Sequence, residues 1–412
     1  MKVLIVNSND IKGGAAKAAY RLNKGLQKIG VSSQMLVQEK TSSDSSVLTS
    51  ESKCYKIIPN TRPRFNQLPV HFYKNRLTLP FSPAWLPFSN IVNKIHEIKP
   101  DIVHLHFITN GMIHLKDLLK IKCPIVWSLH DMWAFTGGCH YDNYCNKFQS
   151  QCFDCPILNS NKKNDLSKRI FKQKNKIYNK LDNITIVGLS KWMADCASKS
   201  VLLGRKDIKN IPNPIDTDLY QPIEKKIARK ILNLPLDKKF VLFGADCIND
   251  YLKGFDFLRK ALECIDQDNI ELLILGSVEK TTSSLFRFPA HFIGKLNDEI
   301  SMKILYNAAD VTVLPSLQEN LSNVVIESLS CGTPVVAFNI GGNGDMIEHK
   351  KNGYLANMSS SDDDLLKGIN WILKNPDYDS LKHNARMKVL NEFEMIKVAQ
   401  CYKNLYETIL FN

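Results

Sequence analysis

Short apolar runs alternate with longer amphipathic stretches along the whole 412-residue chain. The run at 3–6 precedes a Gly13-Gly14 turn and a helical stretch over 15–29. The run at 102–106 precedes a helical stretch near 113–121, and the run at 125–129 follows. Residues 184–189 lead into a helix over 191–200. The second half repeats the rhythm, with runs at 240–243, 272–275, 311–314 and 335–338 and helices over 255–265 and 324–330. Runs this short, spaced by helices, predict an α/β fold of doubly wound parallel sheets with helices on both faces. The seam falls at 211–216, where Pro212 and Pro214 flank Asn213 and stiffen the connection. Two domains are expected, 1–213 and 214–392, with a terminal helix over 393–412.

Charge divides the chain in the same place. Residues 1–200 carry a net +16 and residues 201–412 a net −3, within an overall +13. Apolar residues at 44% and charged residues at 23% exclude a disordered or collagenous chain. No apolar run reaches the roughly 18 residues of a membrane span. The first residues read as a buried strand rather than a leader, so a cytosolic protein with mostly reduced thiols is expected.

The most informative segment runs from Pro315 to Glu327. A strand ends at Leu314, a polar loop follows, and a helix begins near Ser322 or Asn323, both good N-caps. The N–H groups of such a helix start form an anion site, beyond the carboxyl end of a strand. Glu319 precedes the helix and Glu327 lies two turns into it, its side chain leaning back toward the start. Carboxylates beside a bound phosphate call for hydroxyls to hold, so a polyol-bearing phosphate ester is the natural ligand. Taken alone, two glutamates at this spacing are as simply read as solvated surface acids.

The surrounding residues change that weighting. Glu319 and Glu327 form an E-x7-E element. Ser328-Leu329-Ser330-Cys331-Gly332-Thr333-Pro334 follows, then Gly341-Gly342 and Asn352-Gly353-Tyr354. This pattern resembles glycosyltransferase family 4. The resemblance extends over Gly13-Gly14, His130-Asp131, Ser190, the 212–218 connector, Lys253-Gly254, Gly294 and the terminal helix. It implies the GT-B architecture, two Rossmann-like domains facing across a cleft with the last helix packing back on the first. It also implies retaining transfer from a nucleotide sugar, either UDP- or GDP-linked. Residues 133–141 and the cysteines after them look like the branch that builds exopolysaccharide, capsule and O-antigen chains.

Roles follow from the resemblance residue by residue. Glu319 would contact the donor sugar and Glu327 the ribose diol. Asn320, Leu321, Ser322, Asn323 and Val324 would hold the diphosphate and sugar through their amides. Lys253 would neutralise the leaving diphosphate, and Gly13 with Gly14 would let it approach the backbone closely. His130 would bond a donor-sugar hydroxyl. Gly294, Lys295 and Leu296 would sit near the base. Asn110 and Gly111 are candidate acceptor-side residues. The chain departs from the family where an arginine is usual, with Ala245 and Asp246 after Gly244 and Leu252 before Lys253. The leaving group then rests on Lys253 and helix amides, or on a basic residue from elsewhere. No D-x-D motif stands out, so no cofactor is expected for catalysis.

Three further features carry alternatives. His104 and His106 share one strand face, as a packed pair or a metal pair. Cys139, Cys145, Cys152 and Cys155 suit a structural zinc site, reduced thiols or disulfides. Basic residues interleave with apolar ones over 164–183 and 62–88, either as docking on an anionic membrane surface to meet a glycan or polyprenyl-diphosphate-linked acceptor or as a stripe packed on the domain core with a solvated lysine face. A nucleotide-sugar epimerase is the nearest rival function. A nucleic-acid-binding protein is a more distant one, because no stacking platform accompanies the lysines and no nucleic-acid partner is expected.

Overall fold

A computed structural model describes residues 1–49, 57–87, 89–248, 250–265, 269–277, 289–296, 298–358 and 361–411. The Phe88 of the expected membrane segment and the Asp246 side chain lie outside the described residues. The chain divides into two compact units. One is Met1–Pro214 with Ile396–Asn412, and the other is Ile215–Met395.

The first unit is built on a seven-stranded parallel sheet. Its strands are β1 (Lys2–Asn9), β2 (Ser32–Glu39), β3 (Val47–Thr49), β4 (Ile102–Leu105), β5 (Ile125–Leu129), β6 (Ile184–Gly188) and β7 (Asp207–Asn210). Their order is β3-β2-β1-β4-β5-β6-β7. The reversal of order after β1 makes the carboxyl ends of β1 and β4 a switch point, where open sheets of this kind take ligands. Central strands such as β4 and β5 are buried along their whole length, as strands covered on both faces must be. Edge strand β7 is mostly exposed and polar, and its sequence carries no apolar run.

Helix α1 (Gly14–Lys28) follows β1 and buries Ala18, Ala19, Leu22 and Leu26. The 113–121 stretch is not an α-helix. It holds a short 3-10 helix over Leu115–Lys120, started by His114, whose ring accepts from the Lys116 amide. Helix α2 (Leu166–Tyr178) starts at Asp165, whose side chain accepts from the Lys168 amide. Its apolar stripe faces inward. Phe171, Ile177, Tyr178 and Leu181 join the main core of the unit. Lys174, expected on a solvated or membrane-facing side, is fully buried. The 164–183 stretch is therefore core structure and offers no apolar face to a membrane.

The second unit carries a six-stranded parallel sheet. Its strands are β8 (Lys239–Cys247), β9 (Ile270–Ser277), β10 (Ala290–Gly294), β11 (Val311–Leu314), β12 (Val335–Phe338) and β13 (Gly353–Ala356), in the order β10-β9-β8-β11-β12-β13. Helices α3 (Phe255–Glu263) and α4 (Asn323–Ser330) follow β8 and β11. The terminal helix α5 (Met395–Phe411) crosses the unit boundary. Its Val398, Ala399, Tyr402 and Tyr406 pack with Val3, Ile5 and Val126 beneath the first sheet.

Candidate active site

In the second unit the loop after β11 is buried, and so is the helix it starts. Glu319 is 8% exposed and Glu327 3%. Ser322 is the N-cap of α4, but its side chain makes no capping bond. The Glu319 carboxylate accepts from Lys253 Nζ at 3.3 Å. Glu327 Oε2 accepts from the Tyr306 hydroxyl at 2.9 Å, which holds the carboxylate in one orientation.

Two glycines bring these groups together. Lys253 ends a 3-10 turn, and Gly254 follows with a φ of 68°. A Cβ at Gly254 would stand 1.8 Å from the Pro315 carbonyl oxygen. The approach is completed by the Leu317 amide, which donates to Leu252 O at 2.9 Å. On the other side, a Cβ at Gly341 would stand 1.8 Å from the Glu319 carbonyl oxygen. The Gly342 amide donates to that same oxygen at 3.3 Å. Glu319 is thus fixed through its backbone from one side and through Lys253 from the other. Only a residue without a side chain allows contact this close.

Several other expected site residues, on the donor and the acceptor side, lie at glycine turns. Gly13, φ 92°, is the N-cap of α1, and Gly14 is that helix's first residue. A Cβ at Gly13 meets nothing within 4 Å, so the backbone is open to a close ligand. Gly294 ends β10 with a φ of 75° and is equally unobstructed. Lys295 is exposed beside it, and Leu296 is half-buried. Asn110 and Gly111 form a turn with positive φ at both residues. Arg62 Nε donates to the Gly111 carbonyl at 2.8 Å, which ties this turn to the 62–87 segment.

In the first unit His130 directly follows β5. A pocket beside it is lined by His106, Thr109, His130, Asp131 and Trp133 among others. His106 Nδ1 lies 2.8 Å from His130 Nε2. Burial pushes the His130 pKa down to about 4, against the opposing pull of the Asp131 carboxylate. His104 is pushed down to about 3 by burial and by the His130 charge. These imidazoles are neutral near pH 7. The His104–His106 pair is packed ring to ring at 4.3 Å, buried in the unit.

Sequence reasoning missed a second polar chain. Asp131 Oδ2 accepts from His140 Nδ1 at 2.7 Å, and His140 Nε2 lies 2.8 Å from Ser82 Oγ. This is the bonding order of a nucleophilic triad. Ser82, however, is 2% exposed, its amide donates to Gly138 O, and its carbonyl accepts from the Trp133 indole. The chain is a clamp that fastens the 79–87 segment to the loop after His130. Nothing local in the sequence joins Ser82 to residues about fifty positions away.

The four cysteines occupy one neighbourhood as free thiols. Burial raises Cys139 well above the usual thiol value, Cys152 to about 12 and Cys155 to about 11, with the neighbouring thiols adding to the effect. Among the described residues no group of three or more His, Cys, Asp or Glu could hold a metal ion. Lys174 lies near these thiols. Its Nζ donates to Trp133 O and, at 3.1 Å, to Thr136 O, and sits 3.9 Å from the Trp133 ring centre.

Comparison with known proteins decides the family. The model for Glycosyltransferase Family 4 matches residues 12–219, and the one for glycosyl transferases group 1 matches residues 224–388. The chain belongs to glycosyltransferase family 4. An uncharacterized glycosyltransferase of Methanocaldococcus jannaschii is 29% identical over 212 residues, which are 49% of this chain and 53% of that protein. The UDP-Gal:alpha-D-GlcNAc-diphosphoundecaprenol alpha-1,3-galactosyltransferase of Escherichia coli is 23% identical, over 54% of this chain and 64% of its own. The matched stretch thus spans between half and two-thirds of these relatives. The fold extends further. Sucrose-phosphate synthase from Thermosynechococcus elongatus superposes with a TM-score of 0.70 at 18% identity, covering 99% of each chain. This family-4 chain therefore has the GT-B fold.

Proposed function

We propose that this chain is a retaining glycosyltransferase that moves a sugar from a UDP- or GDP-sugar to a glycan or lipid-linked acceptor in surface polysaccharide assembly. The observation that carries the reading is the buried Glu319 carboxylate, paired with Lys253 at the start of α4. When the bond between the donor sugar and the diphosphate breaks, negative charge grows on the diphosphate. The helix-start amides and Lys253 offset that charge, and removing one such group costs about 3 kcal/mol of barrier. Family likeness assigns His130 to the donor sugar and the incoming hydroxyl to the leaving-group face, its proton passing to the departing phosphate oxygen. The Escherichia coli relative supports the acceptor class, because its name specifies a diphosphoundecaprenol-linked sugar.

The acceptor class implies a membrane surface. Phe65, Leu68, Phe72, Leu77 and Trp85 are exposed within one short segment, Phe72 by 87%. Arg62, Arg64, Lys74 and Arg76 stand among them. Each basic group near an anionic bilayer contributes about 1 kcal/mol, enough for reversible docking by four. No described helix is long and apolar enough to cross a membrane. Screening UDP- and GDP-sugars for protection against thermal unfolding tests the donor assignment. Protection by one nucleotide class, lost in Glu319→Gln, is expected. No protection by any nucleotide sugar contradicts it.

A further inference from the structure

The backbone that follows β4 is fixed by hydrogen bonds. The His106 amide donates to Val6 O at 2.9 Å, and the His106 carbonyl accepts from the Trp127 indole at 3.2 Å. The Phe107 amide donates to Asn7 Oδ1 at 2.8 Å. The Met112 amide closes the next turn on Thr109 O at 3.1 Å, and Arg62 Nε holds the same turn at Gly111 O. Within this frame two side-chain atoms are left over. His106 is 4% exposed and Thr109 2%, and neither His106 Nε2 nor Thr109 Oγ1 bonds a protein group. Both residues line the cavity beside His130.

A buried polar atom without a partner costs its full desolvation, so folds keep few of them. Two in one cavity, at the switch point of the sheet, mark a place where a ligand completes the bonding. The chemistry of the cavity selects that ligand. No lysine or arginine lines it, and the half-buried Asp131 is among its lining residues. Arg62 is engaged by Gly111 O and Pro87 O. Lys174, over the Trp133 ring, is held by the Trp133 and Thr136 carbonyls. Burial keeps the His106 and His130 rings uncharged near pH 7. A phosphate or carboxylate entering here would face a carboxylate with no cation to meet it. A hydroxyl both donates and accepts. It satisfies Thr109 Oγ1, and it pairs with His106 Nε2 whether that atom carries a proton or a lone pair. Phe107, Ile108 and Trp133 give the cavity an apolar wall, the usual setting for a few orienting polar groups.

We propose that His106 Nε2 and Thr109 Oγ1 form a subsite for one uncharged sugar hydroxyl, in a cavity that turns away phosphorylated and uronic sugars. The proposal rests on the reading that this chain handles sugar substrates. Donor and acceptor sugars present the same group, and the kinetic arm below tells them apart.

Methyl NMR on the full chain labelled at its threonines reads the subsite without any transfer reaction. The Thr109 resonance is assigned by its loss in Thr109→Val. The neutral probes are the methyl glycosides of glucose, galactose, mannose and N-acetylglucosamine, and the charged probes are glucuronic acid and glucose 6-phosphate. At least one neutral probe is expected to shift Thr109 at millimolar concentration, and neither charged probe is. Equal shifts from the charged probes, or none from any neutral probe, overturn the proposal. Thr109→Val also separates a ligand-binding hydroxyl from a structural one. A hydroxyl without a partner in the fold can be lost with the unfolding temperature unchanged or raised. A fall of several degrees would show it bonded within the fold and would overturn the proposal. In transfer assays the same variant should raise one KM about tenfold, the loss of a single hydrogen bond, with kcat within about threefold of wild type. A raised donor KM assigns the hydroxyl to the donor and a raised acceptor KM assigns it to the acceptor, while no rise in either contradicts the subsite. Neutral-sugar shifts in a chain that transfers nothing refute the transfer reading and leave the subsite standing.

Discussion

Lys253 and Glu319 form an ion pair at 3.3 Å. Removing either therefore leaves the other partly uncompensated, and the variants should be read as a pair. Glu319→Gln and Lys253→Ala should each lower kcat/KM at least about 100-fold while leaving the far-UV spectrum and cooperative unfolding intact. A folded Lys253→Ala with near-normal kcat/KM would place the leaving-group stabilisation elsewhere, a live matter because Ala245 and Leu252 stand where the family carries arginine. Lys174 makes a different prediction. Burial lowers its pKa to about 7, against the opposing pull of Cys139, Cys152 and Asp131. Between pH 7 and the unfolded lysine value the unfolded chain binds more protons, so this residue's contribution to stability rises with pH. Above about pH 9 the raised thiols work the other way, because the unfolded thiols ionise first. The unfolding free energy of wild type should therefore climb more steeply than that of Lys174→Met between pH 7 and 8.5. Parallel curves would show that Lys174 stays charged in the fold.

The elements of the site are joined by backbone contacts that tolerate no added atom. Gly254→Ala would drive a methyl into the Pro315 carbonyl, and Gly341→Ala would drive one into that of Glu319, both from a positive φ. Each should cost about 2 kcal/mol of stability or more, with activity falling further than stability because Lys253 or Glu319 moves. Thermal unfolding and kcat measured on the same preparations check this, and unchanged values for both would show that the loops yield freely. This scale also marks how much the sequence discloses. The core strands are legible because full burial demands unbroken apolar runs, and α4 is legible because its start carries Ser322 and Asn323 after an apolar strand. Edge strand β7 is not, because an exposed strand of Asp, Ile, Lys and Asn has no pattern to read. The stripe of α2 is visible in sequence but its destination is not, since a stripe facing a core and one facing a membrane have the same spacing. Lys174 shows the difference, a lysine buried because two carbonyls and an indole receive it. The clamp of Asp131, His140 and Ser82 depends on contacts between distant segments and has no local signature.

At the scale of the whole molecule, three neutral buried histidines make the protein sensitive to acid. Their pKa values are lowered by burial, His104 to about 3, His130 to about 4 and His106 well below the usual range. The unfolded chain takes up these protons first, so stability is complete above about pH 6.5 and is lost as pH falls below it. Each histidine subtracts up to about 1.4 kcal/mol per pH unit. Chemical unfolding at pH 7.5, 6 and 5 should show that loss, reduced in His104→Gln, and a flat profile would place protonated imidazoles in the fold. The charge division between +16 and −3 predicts co-sedimentation with anionic vesicles at low salt but not at high salt. Binding equal for neutral and anionic vesicles would remove the basic residues from the explanation. Sugar transfer with retention is read from NMR of the product formed from an α-linked UDP- or GDP-sugar and a diphosphoprenyl-linked acceptor. An α-linked product that forms only when acceptor is present is expected. A β-linked product, or conversion of the donor to another sugar nucleotide in the absence of acceptor, would contradict it.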